Sequence, residues 1–368
     1  MGKAKQKRST GISFVCLVAL ASMLLLQVHK YLFPDGMIGY DSVLVDYKSH
    51  GGVLTCLPAP YIYITYHGKP NNVRKFSRDG CDLGDVLLDM PKNASGTVKL
   101  RELRGMYLHN KTLPDGTHKE SFYVLAAHKG SSQLLEYGSC DPVTGQRPFV
   151  ALIASNKADK NSLLVHPYAV TVGPLGYVYV STQDTSMVLR MSPKGDFIPP
   201  PQAIRYQTMA NGGDASTVPN GTFVQFYAWQ EVRGITFDNE GIIYVAVKEN
   251  GVFRFDLEGF NVGLLPITKP IALWYDANRR ALYAGSNKGK HSVVYEWDVV
   301  LGKVNRTLGI DDKQLSHPAG IVSYKDTLYV ISQDENEIVS YDLSTGLYKR
   351  SIYHGFPSAG EQLILSAC

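Results

Sequence analysis

Two hydrophobic patterns divide the chain. From Gly11 to Val28 no charged residue occurs, an apolar stretch close to the ~20 residues that a helix needs to cross a bilayer. Beyond residue 45 the apolar residues come instead in short runs that alternate with polar ones and are broken by Gly, Asp and Asn. That period of two predicts strands joined by tight turns.

The strand-forming part repeats itself. Five segments place a small residue before an aliphatic one and follow it with a turn, a Tyr-containing strand and a further strand. They begin at Arg104-Gly105-Met106, Tyr168-Ala169-Val170, Arg233-Gly234-Ile235, Ile271-Ala272-Leu273 and Ala319-Gly320-Ile321. The clearest unit runs from Arg233 to Asp256, and Ala319 to Asp342 repeats its plan. Asp238-Asn239-Glu240-Gly241 and Gly173-Pro174-Leu175-Gly176 read as turns between antiparallel strands. The second-strand tyrosine recurs at 63, 123, 179, 244, 283 and 329, which counts six units. Such units cannot bury their apolar faces singly, and radial stacking removes the open sheet edges. The expected fold is therefore all-β, a six-bladed β-propeller over 49–368 preceded by one N-terminal transmembrane helix. Residues 196–229, with Pro199-Pro200-Pro201 and Asn211-Gly212-Gly213, read as a long inserted surface loop.

Charge sets the orientation of the apolar stretch. Lys3, Lys5, Lys7 and Arg8 precede it without an acid, so residues 1–10 are expected as a cytosolic tail, 11–33 as a signal anchor and 34–48 as a linker. A cleaved signal peptide, with Ala19-Leu20-Ala21 as its small-residue site, is the alternative. Both send the remainder into the secretory pathway, with the C-terminal body lumenal or extracellular. Without the four basic residues of the tail, 33 Lys and Arg balance 33 Asp and Glu. That neutrality speaks against nucleic acid as a partner.

Four Asn-x-Ser/Thr sequons, at Asn93, Asn110, Asn220 and Asn305, agree with a glycosylated body. Cys56, Cys81, Cys140 and Cys368 lie beyond the apolar run. They permit two disulfides in any of three connectivities, or buried free thiols.

The pattern of His-Pro-x-Ala/Gly-Ile/Val, turn, Tyr-Val and a third strand ending in Asp resembles NHL-type and related six-bladed propellers. That broad group includes lactonase-like and strictosidine-synthase-like proteins, and the resemblance covers roughly residues 45–360. It implies fold more than activity. The Glu-Gly-Pro start expected of lactonase-type enzymes does not occur.

Candidate chemistry lies at the channel mouth, where innermost strands begin. Three places before each small residue stand Glu102, His166, Glu231, Lys269 and His317, with Ser49 in the first unit. Glu102, His166, Glu231 and His317 could hold a divalent ion such as Ca or Zn and activate water, with Lys269 or Arg233 opposing a developing oxyanion and Arg104 a further candidate at the mouth. The opposing reading pairs Glu102 and Glu231 with nearby arginines, and uses His-Pro only to start a strand. Trp274 and Trp297 read as packing residues, and no Gly-x-Ser-x-Gly, Walker, His-Glu-x-x-His or dinucleotide motif occurs. Two functions follow. One is a membrane-tethered module binding a protein or glycan through its loops. The other is a metal-dependent hydrolase, lactonase- or esterase-like, or a lyase.

Overall fold

A computed structural model describes residues 56–368 except 89–99, 113–114, 129, 157–162, 227–229 and 311–312. The expected tail, anchor and linker, Ser49, the Asn93 sequon and Trp229 lie outside the described residues. Among the described residues no helix is long and apolar enough to cross a membrane.

The described strands form six four-stranded antiparallel sheets. The first holds β1 (Tyr61–Tyr66), β2 (Arg74–Phe76) and β3 (Asp82–Asp85). The second holds β4 (Leu103–Thr112), β5 (His118–Ala126), β6 (Gln133–Tyr137) and β7 (Phe149–Ser155). The third holds β8 (Pro167–Val172), β9 (Val178–Thr182), β10 (Met187–Met191) and β11 (Thr222–Gln225). The fourth is β12 (Val232–Phe237), β13 (Ile243–Val247), β14 (Gly251–Phe255) and β15 (Asn261–Leu265). The fifth is β16 (Pro270–Asp276), β17 (Ala281–Ser286), β18 (Val293–Asp298) and β19 (Lys303–Leu308). The sixth is β20 (Pro318–Tyr324), β21 (Thr327–Ser332), β22 (Glu337–Asp342) and β23 (Tyr348–His354). The last strand, β24 (Gly360–Ser366), completes the first sheet by pairing with β1, Tyr63 opposite Ile364. Strands β4, β8, β12, β16, β20 and β24 pack side by side in a ring around the axis. This is a six-bladed β-propeller closed by its C-terminal strand.

Packing explains the recurring residues. The six tyrosines, Tyr63, Tyr123, Tyr179, Tyr244, Tyr283 and Tyr329, are all buried on second strands. They sit in apolar clusters that fill the seams between neighbouring blades. The small residues are needed because the innermost strands approach at backbone distance. A Cβ on Gly234 would stand 2.7 Å from the Ile271 carbonyl oxygen and 2.8 Å from the Leu273 nitrogen. Trp297 is buried in the fifth blade, and Trp274 packs across its seam with the sixth, donating to Ser323 Oγ on β20 at 2.9 Å.

Disulfides join Cys56 to Cys81 and Cys140 to Cys368, which selects one of the three connectivities. The second acts directly on ring closure. The first ties the start of the closing blade to its β2–β3 turn, and the second bolts the end of β24 to the β6–β7 connection of the next blade. The described part of the expected insertion, 196–226, holds more than a bare loop. It forms α1 (Gln202–Ala210) and a 3-10 turn (Ala215–Thr217), then rejoins the third blade as β11. Because strands alternate in direction, this segment, the long β4–β5 hairpin and both disulfides lie on the face opposite the channel mouth.

Candidate functional site

The channel mouth is built from one repeated backbone device. Glu102, His166, Lys269 and His317 adopt left-handed φ values of 51°, 50°, 48° and 45°, and each precedes a bulge where its innermost strand starts pairing. The carbonyl of each accepts from the end of the second strand, from the N–H groups of Ala127, Gln183, Asn287 and Gln333 at 3.0–3.2 Å. Glu231 accepts from Lys248 N–H in the same way at 3.0 Å. A left-handed non-glycine residue costs about 1–2 kcal/mol. Since Glu, His and Lys all share the conformation, the strain belongs to the bulge of the fold rather than to one reaction.

The sixth mouth position departs from expectation. In the closing blade the carbonyl that accepts from the second strand, through His67 N–H at 3.0 Å, is that of Ala359. The innermost strand of this blade is β24 from the other end of the chain. The first-blade position is therefore Ala359 and not Ser49.

The side chains of the mouth turn toward their own blades. Glu102 Oε1 stands 3.2 Å from His128 Nδ1, and His166 Nδ1 stands 3.0 Å from Asp184 Oδ1. His317 Nδ1 lies 3.6 Å from Asp334 Oδ1, and Ser316 Oγ donates to Oδ2 of the same carboxylate at 2.7 Å. Glu231 pairs with Arg233 and with Lys248 Nζ, the latter at 3.0 Å. Burial opposes the Glu231 charge, but Arg233 and Lys248 outweigh it and hold the carboxyl below its usual range. Burial likewise holds the His317 imidazole below its ordinary value, against the pull of Asp334. Lys269 is exposed at the mouth. Among the described residues no three His, Cys, Asp or Glu side chains come together to form a set that could hold a metal ion.

The axis itself is lined two residues further along each strand. Here Arg104, Tyr168, Arg233 and Glu361 converge. The Tyr168 ring lies between two guanidinium groups, 5.6 Å from Arg104 and 4.9 Å from Arg233. His67 Nδ1 is 3.0 Å from both Arg104 Nη2 and Glu361 Oε1, and Arg104 Nη1 is 3.8 Å from Glu361 Oε2. Thr65 and Ser181 hydroxyls bond the backbone carbonyls of Arg104 and Arg233 from the preceding blades, which fixes both arginines. Burial, against the pull of Arg233 and Arg104, pushes the Tyr168 phenol up to about 12, so it stays protonated. The enclosed cavity measures about 30 Å³, room for one or two waters. A small-molecule site is typically ~300 Å³ or more.

Of the residues that sequence reasoning singled out, Glu102, His166, Glu231, Lys269 and His317 stand at the strand starts, and Arg104 and Arg233 lie two residues further on, along the axis. That reasoning missed Glu361, His67 and Tyr168. Glu361 sits two residues after Ala359, so it was visible only once β24 was known to close the ring.

No family model matches the chain, and no curated protein matches it. The fold is nevertheless shared widely among solved structures. A chain of a nidogen/laminin complex is 10% identical, with 83% of this chain and 98% of that one covered at a TM-score of 0.53. A streptogramin B lyase is 14% identical over 68% of this chain and 74% of that one, at 0.43. The periplasmic gluconolactonase PpgL of Pseudomonas aeruginosa is 13% identical over 83% and 98%, at 0.47. At these identities the likeness is one of fold. The neighbours do not single out the NHL-type or strictosidine-synthase-like proteins.

Proposed function

We propose that the chain is a membrane-tethered, lumenal or extracellular β-propeller that acts as a binding module for a protein or glycan partner. The axial mouth carries the argument. Glu102, His166, Glu231 and His317 are engaged within their own blades, and the axial cavity beside Arg104, Tyr168 and Glu361 has the volume of one or two waters, about 30 Å³. A substrate has little room there, so recognition falls to the loops. On the face away from the mouth, α1 presents Tyr206 and Met209 at 49% and 50% exposure. Aromatic residues and Met are enriched at protein interfaces. Two disulfides suit an oxidising compartment, and Asn110, Asn220 and Asn305 are exposed and open to glycosylation.

The test is proximity labelling by the full chain in a secretory host, wild type beside a Tyr206→Ser/Met209→Ser variant, together with assays of ester and lactone hydrolysis. The reading expects labelled neighbours that disappear in the variant at unchanged melting temperature, and no hydrolysis. Saturable hydrolysis lost in His166→Ala or His317→Ala would overturn it in favour of a hydrolase.

A further inference from the structure

A second concavity lies on the mouth side of the seam between the sixth blade and the closing blade. It measures about 580 Å³ and is lined by Tyr66, Lys69, Arg74, Phe76, Asp82 and Tyr353 among others. This is the size of a small-molecule site. The β1–β2 loop and the turn after β23 form its rims.

Its walls combine two kinds of surface. The aromatic side is a packed cluster, with Tyr353 stacked on Phe356 at 5.3 Å and tilted on Phe76 at 4.6 Å. Tyr353 is half-buried and so leaves part of its ring open to the groove. The polar side is Arg74, whose guanidinium meets Asp82 at 2.6 Å and Asp85 at 2.7 Å, with the exposed Lys69 and Asn71 above it. Two cations and two carboxylates balance, which disfavours a strongly charged ligand. An arginine held against a carboxylate offers donors and acceptors side by side, as vicinal hydroxyls require. Beneath them the buried Tyr66 hydroxyl has no hydrogen-bond partner, an omission that buried polar groups rarely show. Burial, with Tyr353 and Asp82 nearby, raises its pKa and keeps it a donor.

We infer that this groove binds a neutral pyranose sugar, its apolar face on Tyr353 and its hydroxyls on Arg74, Asp82 and Asn71. A sugar hydroxyl, or a water carried with it, supplies the partner that the Tyr66 hydroxyl lacks. The site is separate from the axial mouth and from α1, so it stands or falls independently of partner capture by the loops.

Saturation-transfer NMR on the full chain in a sugar-free detergent tests the assignment. The probes are methyl α-mannoside, methyl β-galactoside and N-acetylglucosamine, beside a proline-rich decapeptide for the same aromatic surface. At least one sugar should bind, with Kd raised about tenfold by Tyr353→Ala and by the surface change Asn71→Ala. Tyr66→Phe should also weaken binding while leaving the melting temperature unchanged or higher, because it removes an unsatisfied buried hydroxyl. Absence of transfer to all three sugars, binding that survives Tyr353→Ala and Asn71→Ala, or binding of the peptide alone would each overturn the inference.

Discussion

Arg147 offers the sharpest test of how the ring is closed. Its side chain is fully buried at the seam between the second blade and the closing blade. It donates to Glu120 Oε2 at 2.9 Å, to the Gly138 carbonyl at 3.0 Å and to Ser366 Oγ on β24 at 3.1 Å. Its guanidinium also lies 5.2 Å from the Phe122 ring and 5.8 Å from Tyr63, while its backbone pairs with Val86 and Leu88. Replacing it with Met keeps much of the apolar contact and removes the charge. Breaking a buried ion pair costs about 3–5 kcal/mol, but Glu120 is 26% exposed and recovers hydration. The expected loss is about 2–3 kcal/mol, a fall in Tm of roughly 3–5 °C for a domain of this size. Thermal melting gives the global value, and amide hydrogen exchange locates it. Protection should fall first in β24 and around Val86–Leu88, ahead of the fourth and fifth blades. An Arg147→Met protein within about 0.5 kcal/mol of wild type, the range of an ordinary surface substitution, would refute the keystone role.

Three further outcomes follow from the same geometry. Gly234→Ala should cost about 1–3 kcal/mol by chemical denaturation, since the added Cβ meets backbone atoms that cannot move aside; a neutral result would deny the close approach of innermost strands. Because burial depresses the His317 pKa below 6.5 in the folded state, the folded protein binds fewer protons there than the unfolded chain. Stability from this group is complete above 6.5 and is lost as pH falls below it. His317→Gln should therefore flatten the decline in Tm between pH 7 and 5, and an unaltered profile would remove this linkage. Expression in a secretory host should give a protein whose gel mobility shifts on endoglycosidase treatment, by one step less in each of Asn110→Gln, Asn220→Gln and Asn305→Gln. No shift at all would contradict the secretory reading.

The propeller was legible because its evidence is periodic. A buried Tyr on every second strand and a small residue wherever innermost strands touch are imposed by the same packing in each blade, so they repeat in the sequence. The alignment that these residues define located five mouth positions correctly, as the shared carbonyl contacts of Glu102, His166, Glu231, Lys269 and His317 show. It failed at the sixth because ring closure joins the two ends of the chain. The strand beginning Ala359-Gly360-Glu361-Gln362-Leu363 carries Gln where the others carry Gly or Ala, and so escaped the pattern. Direction was also illegible. Alternation assigns a residue to one side of a strand, but the bulge and the left-handed φ turn Glu102, His166 and His317 back toward their own blades. The axis is left to Arg104, Tyr168, Arg233 and Glu361. Arg147 and Tyr66 lie in no repeated motif, and only long-range contacts identify them.

The central proposal is that recognition falls to the loops, while Glu102, His166, Glu231 and His317 at the mouth are held by partners in their own blades. Its most direct test is the metal content of the purified full chain from a secretory host, measured by mass spectrometry beside His166→Ala and His317→Ala. The account predicts folded protein with Ca and Zn well below one equivalent in all three. One equivalent of either ion in the wild type, lost in either variant, would contradict it.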